Sequence, residues 1–128
     1  MGRLSTHVLD TAHGRPAAGM GFALFRQEAN GEARGETSGE ASRWTLLAEG
    51  ATNADGRTDA PLLQGAAFRA GRHRLVFQVA AYFRAQGVAL PDPPFLDEVT
   101  LEFGMAEGGH HHVPLLVSPF GYTTYRGS

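Results

Sequence analysis

The dominant spacing of apolar side chains along this chain is two residues, the period of a half-buried strand, and not the 3.6 of a helix. Near the middle, Leu75, Phe77 and Val79 alternate with Arg74, Val76 and Gln78. Further on, Val99, Leu101 and Phe103 alternate with Glu98, Thr100 and Glu102, which gives one wet face and one buried face. The same reading predicts strands over Arg3–Leu9, Gly21–Gln27, Ser42–Ala48, His110–Val117 and Gly121–Arg126. Turn chemistry separates them: Asp10 to Gly19 with Pro16, Asn53-Ala54-Asp55-Gly56, Ala70-Gly71, and Ser118-Pro119-Phe120-Gly121. One stretch breaks the pattern. Val79–Gly87 carries good helix formers, the aromatic pair Tyr82-Phe83 and a glycine stop, and predicts a single short helix. The Gly- and Glu-rich stretch from Ala29 to Ala41 has little to bury and reads as a solvated hairpin loop. Many short strands with one helix point to a β-sandwich.

Composition narrows the function. A chain of 128 residues with 42% hydrophobic and 19% charged residues is expected to form one domain, 1–128, with a core that needs no staples. There is no cysteine, so disulfides, a thiolate nucleophile and cysteine-ligated zinc are excluded. A net charge of −2 leaves no electrostatic footprint for nucleic acid. No apolar run is long enough to cross a bilayer, and the opening residues carry no signal segment, so a soluble cytoplasmic protein is expected.

Three regions carry candidate chemistry. Within Leu4–Asp10, alternation sets Leu4, Thr6 and Val8 on one face and His7 on the other, beside Ser5 and Leu9. A strand histidine taken alone is more often a surface or satisfied structural residue. In Asp55-Gly56-Arg57-Thr58-Asp59, a tight turn presents Arg57, whose planar fork of donors suits carbonyls and anionic rings. The plain alternative is a solvated arginine paired with Asp55 or Asp59. In His110-His111-His112, alternation puts His110 and His112 on one face and His111 on the other. Such a pair can bind zinc or supply an acid–base imidazole near neutral pH, and no third ligand of recognisable spacing supports the metal reading. Finally, Pro119 to Ser128 reads as a strand running to the last residue, with Tyr122, Tyr125 and Arg126 expected to be packed with their polar tips in use, or else a plain edge strand.

Taken in order, these segments resemble the transthyretin-like hydrolases. Leu4–Asp10 with Gly14-Arg15-Pro16-Ala17 is similar to that family's opening signature, and Asn53-Ala54-Asp55-Gly56-Arg57-Thr58 to its arginine turn. His112-Val113-Pro114-Leu115-Leu116-Val117-Ser118-Pro119, leading into Tyr122-Thr123-Thr124-Tyr125-Arg126-Gly127-Ser128, resembles its closing signature. The resemblance implies an all-β, transthyretin-like (prealbumin-like) sandwich of two four-stranded sheets with one short helix, assembled as a homotetramer, a dimer of dimers with sites in the channel between dimers. It implies hydrolysis of 5-hydroxyisourate to 2-oxo-4-hydroxy-4-carboxy-5-ureidoimidazoline in urate breakdown, with no cofactor and no metal. Carried over residue by residue, the catalytic set is His7, Arg57, His112 and Tyr125, and the substrate contacts are His7, Arg57, Tyr125 and Ser128. The sequence departs from the family in the proline-rich Ala89–Pro94, in His111 at a commonly aromatic position, and in the length of Ala29–Ala41. A transthyretin-type carrier without catalysis is the alternative, but His7, His112 and Tyr125 suit a polar ring better than an iodinated aromatic. A structural or metal-sequestering sandwich using His110, His112 and His7 is the third reading.

Overall fold

Strand alternation becomes burial with few exceptions. In the computed structural model, which describes residues 2–28 and 43–127, β1 (Gly2–Asp10) alternates between buried and partly exposed residues along its length. Leu4, Thr6 and Val8 face the core, while Ser5, His7 and Leu9 face out. Then follow β2 (Arg15–Pro16), β3 (Gly21–Glu28), β4 (Arg43–Ala51), β5 (Leu63–Gln64) and β6 (Gly71–Gln78). Helix α1 (Val79–Ala85), β7 (Glu98–Met105), β8 (Gly109–Ser118) and β9 (Gly121–Thr124) complete the order. The loop expected from Ala29 to Ala41, and Ser128, lie outside the described residues.

Two sheets form the sandwich expected from the sequence. The first runs β2-β1-β8-β9, with the two-residue β5 also paired to β1; the second runs β4-β3-β6-β7. β1 and β8 pair in parallel with Ser5 opposite His112 and His7 opposite Pro114. All other strand pairs in the two sheets are antiparallel. Between the sheets, Leu4, Val8, Leu115 and Val117 of the first meet Leu24, Leu75, Phe77 and Val99 of the second in one core cluster. Burying each such side chain is worth about 1.5–3 kcal/mol, so the core fixes both the register and which face of β1 and β8 stays wet.

Helix α1 packs Val79, Ala80, Tyr82 and Phe83 inward. It ends slightly before the expected Gly87, which adopts φ +88° and donates its N–H to the Arg84 carbonyl, closing the helix as a glycine stop should. Tyr82 donates its hydroxyl to Asp10 at 2.8 Å, and Asp10 also accepts from His13 Nδ1 at 2.6 Å. Asp10 is wholly buried. Together these bonds tie the end of β1 to the helix.

The C-terminal segment differs from the packed strand expected to reach the last residue. β9 stops at Thr124 and all four of its residues are exposed. It is an edge strand: only β8 lies beside it in the sheet, and no described element covers its far side. Beyond it, the Gly127 N–H donates to the His112 carbonyl at 2.8 Å and returns the tail to β8.

Candidate functional site

The outer face of the first sheet gathers the polar residues that the core excludes. From β1 come Ser5 and His7; from β8, one strand over, come His110 and His112. Ser5 Oγ lies 2.8 Å from His112 Nδ1 and 3.0 Å from His110 Nε2. The two imidazole centroids are 6.2 Å apart. His111 turns the other way, as alternation requires. It is 7% exposed, stacks on Phe68 and donates from Nε2 to the Glu107 carbonyl at 2.8 Å.

Arg57 arrives from the turn between β4 and β5. Asn53 organises this turn: its side-chain oxygen accepts the N–H groups of Asp55 and Arg57, and its amide donates to Asp59. Gly56 then lies flat against β1, its carbonyl accepting the Val8 N–H at 2.8 Å. Its φ of +74° is left-handed, and a Cβ there would collide with the Val8 carbonyl. Only glycine satisfies both constraints. Arg57 is exposed, as the plain alternative expects, but no ion pair joins it to Asp55 or Asp59 among the described residues.

Electrostatics couples these groups. Burial, and then the Arg57 guanidinium, hold His7 below the ordinary imidazole value, against a hydrogen bond to the Asp55 backbone and the Asp55 charge. Burial, Arg57, His110 and His7, in that order, lower His112. Both rings are therefore neutral at physiological pH and available to accept a proton. His7, Arg57 and His112 are thus within electrostatic reach of one another. Tyr125 stands apart from them: it is 57% exposed and borders a recess of about 370 Å³ between β7 and β9, with His111, Val113 and Phe103. Ser128 lies outside the described residues. No group of three or more His, Asp or Glu side chains among the described residues is placed to hold a metal ion.

Alternation along the sequence sets Ser5 on the face of His7 without giving it a role, and leaves His110 as one of a pair that binds zinc or supplies an acid–base imidazole. The missing signal was register. Parallel pairing sets Ser5 opposite His112, and neither segment alone reveals it.

A β-sandwich presenting two neutral imidazoles on an open sheet face, beside a guanidinium with no ion-pair partner among the described residues, is the kind of scaffold that handles a polar, oxygen-rich ligand. The HIUase/Transthyretin family matches residues 4–127, and the chain belongs to it. The 5-hydroxyisourate hydrolase of Mesorhizobium japonicum is 58% identical over 127 residues, 99% of this chain and 93% of that protein. Among solved structures, an (S)-allantoin synthase superposes with a TM-score of 0.83 at 39% identity, covering 99% of this chain; this chain spans 44% of that one. The Klebsiella pneumoniae 5-hydroxyisourate hydrolase gives a TM-score of 0.74 at 34% identity, with all of both chains covered.

Proposed function

We propose that this protein hydrolyses 5-hydroxyisourate to 2-oxo-4-hydroxy-4-carboxy-5-ureidoimidazoline, at the face shared by His7, Arg57 and His112. The observation that carries this reading is the grouping of two proton-accepting imidazoles with a guanidinium that has no carboxylate partner among the described residues. Full-length similarity to named hydrolases supports it.

The chemistry needs water to attack a ring carbonyl. His112 Nδ1 is engaged by Ser5, which leaves Nε2 to take the proton from that water. Negative charge grows on the carbonyl oxygen, and Arg57 offsets it; a donor in that role is worth about 3–4 kcal/mol. The tetrahedral carbon then expels the ring nitrogen, which leaves with a proton. His7 holds the substrate beside Arg57, and Tyr125, which lines a separate recess in the single chain, is assigned the role of orienting the substrate through its hydroxyl.

The site lies on an open sheet face, and a second copy laid across it would exclude water. We accordingly assign a homotetramer, a dimer of dimers, built from single 1–128 domains and working without a cofactor. A cytoplasmic location suits a chain without cysteine.

The test generates 5-hydroxyisourate freshly with urate oxidase and follows its ultraviolet decay. Wild-type protein accelerates the decay, and His7→Ala, Arg57→Ala and His112→Ala each lose most of that acceleration while remaining folded. An unchanged spontaneous rate with wild type refutes the reading. Thyroxine binding in its place would favour the carrier. Size-exclusion chromatography checks the tetramer.

A further inference from the structure

We propose that Ser5 and His110 are positioning residues that form a proton relay with His112, deciding which nitrogen of His112 carries its proton at each stage of hydrolysis. The proposal rests on the reading of His112 as the base.

The geometry is specific. Ser5 Oγ sits between two ring nitrogens, 2.8 Å from His112 Nδ1 and 3.0 Å from His110 Nε2. A hydroxyl has one hydrogen, so it donates to one ring and accepts from the other. Two arrangements follow. In the first, His112 Nδ1–H donates to Ser5, Ser5 O–H donates to His110 Nε2, and His112 Nε2 is a bare base. In the second, His110 Nε2–H donates to Ser5, Ser5 O–H donates to His112 Nδ1, and His112 Nε2 carries a proton as an acid. The two roles hydrolysis demands of one imidazole are the two settings of this relay.

The protons balance. When water attacks, its proton goes to His112 Nε2 and its hydroxide to the carbonyl carbon. The Nδ1 proton of His112 passes to Ser5 Oγ, the Ser5 hydrogen passes to His110 Nε2, and the positive charge comes to rest on His110. When the carbon–nitrogen bond breaks, His112 Nε2 gives its proton to the departing nitrogen. In the same step His110 returns a proton through Ser5 to His112 Nδ1, so that His112 stays neutral. The starting arrangement is restored, with one water consumed.

Moving the charge outward has a physical reason. His112 is half-buried beside Arg57, where an imidazolium is disfavoured, whereas His110 is the more exposed of the two rings. The other charged groups facing the relay are Arg3 and His7 on β1 and Asp55, Arg57 and Asp59 on the turn; Arg3, Arg57 and Asp59 border the recess in front of His110. From the C-terminal side, the backbone of Gly127 closes on His112. Parallel register holds the three residues in line, because Ser5 and His112 are direct partners and His110 is two places along the same face.

The experiment measures kcat, KM and their pH profiles for wild type, Ser5→Ala, Ser5→Thr, His110→Gln and His112→Ala, with thermal melts for each. Ser5→Ala is expected to lower kcat about a hundredfold at unchanged KM, within the range of a misplaced acid–base proton. Ser5→Thr keeps the hydroxyl and restores most of kcat. His110→Gln keeps a hydrogen-bond partner for Ser5 but cannot store a proton, and its kcat falls in the same way; its exposed position keeps folding out of the result. In mixed light and heavy water, wild-type kcat curves with deuterium fraction, and Ser5→Ala gives a straight line. A wild-type kcat and pH profile in either Ser5→Ala or His110→Gln overturns the relay. An active His112→Ala overturns the base assignment beneath it, so the two failures are distinguishable.

Discussion

Replacing Gly56 with alanine tests how the fold delivers Arg57. The residue has φ +74°, which costs a side-chain-bearing residue about 1–2 kcal/mol. A second cost is particular to this site: the new Cβ would run into the Val8 carbonyl and lie 3.2 Å from the Ala17 nitrogen. Relief requires the turn to lift from β1, which breaks the Val8 N–H bond to the Gly56 carbonyl. Val8 is fully buried, so its N–H finds no water, and the loss is about 1–3 kcal/mol. The sum, about 2–5 kcal/mol, is a large share of an ordinary domain's stability of about 5–15 kcal/mol. Gly14→Ala is the control, with a similar φ of +68° and nothing within 4 Å of the added carbon. It should show the dihedral cost alone, about 1–2 kcal/mol. Urea unfolding of both variants isolates the collision as their difference. Arg57 is the next residue, and a shift of about 1 Å in a catalytic group costs about a hundredfold in rate. Gly56→Ala should therefore slow 5-hydroxyisourate decay far more than Gly14→Ala does. If the two variants are equally stable and equally active, the account of this turn is wrong.

Three further outcomes are expected. Tyr82→Phe removes a donor from buried Asp10 and should cost about 1–3 kcal/mol in urea unfolding. Burial, then Asp10, raise the Tyr82 hydroxyl to about 12. Its contribution is thus present below the ordinary value of 10.0 and lost as pH climbs from there toward about 12, a loss that Tyr82→Phe should abolish. His73 is fully buried with Nε2 unpartnered among the described residues, and burial first, then Arg26 and His111, hold it below 6.5 against a bond to the Gly71 carbonyl. The unfolded chain then takes up a proton that the fold refuses, so stability falls as pH drops below 6.5, and His73→Leu should flatten that fall in melts at stepped pH. Arg57→Gln removes a positive charge that lowers both His7 and His112, so the acid limb of kcat/KM should move to higher pH. The same variant should lose about a hundred- to a thousandfold in rate; an unmoved limb would break the coupling argued between these groups.

The legible parts of the molecule are those governed by short-range pattern. Alternation alone placed His7 outside, put His110 and His112 together and turned His111 inward, because a strand fixes faces with period two. The Asn53–Arg57 turn was equally readable from its glycine. What stayed hidden depends on long-range pairing. Ser5 bridges to residues 105 and 107 positions away, and Tyr82 reaches Asp10 across 72. No local spacing encodes such meetings. The tail leaves two readings open, a packed strand and a plain edge strand, for a related reason. Tyr122 and Tyr125 have strand-like chemistry, but whether a terminal strand is packed depends on which elements lie beyond it, and β9 is at the edge.

The parallel union of β1 with β8 also orders the birth of the molecule. Strands β3, β4, β6 and β7 join through antiparallel pairings that can close soon after each strand emerges. β1, made early, finds its principal partner only when residues 109–118 exist. Until then the β1 edge that β8 will occupy is unpaired, and contacts that span so much sequence form slowly. The imidazoles and the serine they share therefore meet only once β8 exists, so a chain halted before residue 109 carries Ser5 but neither imidazole of the relay.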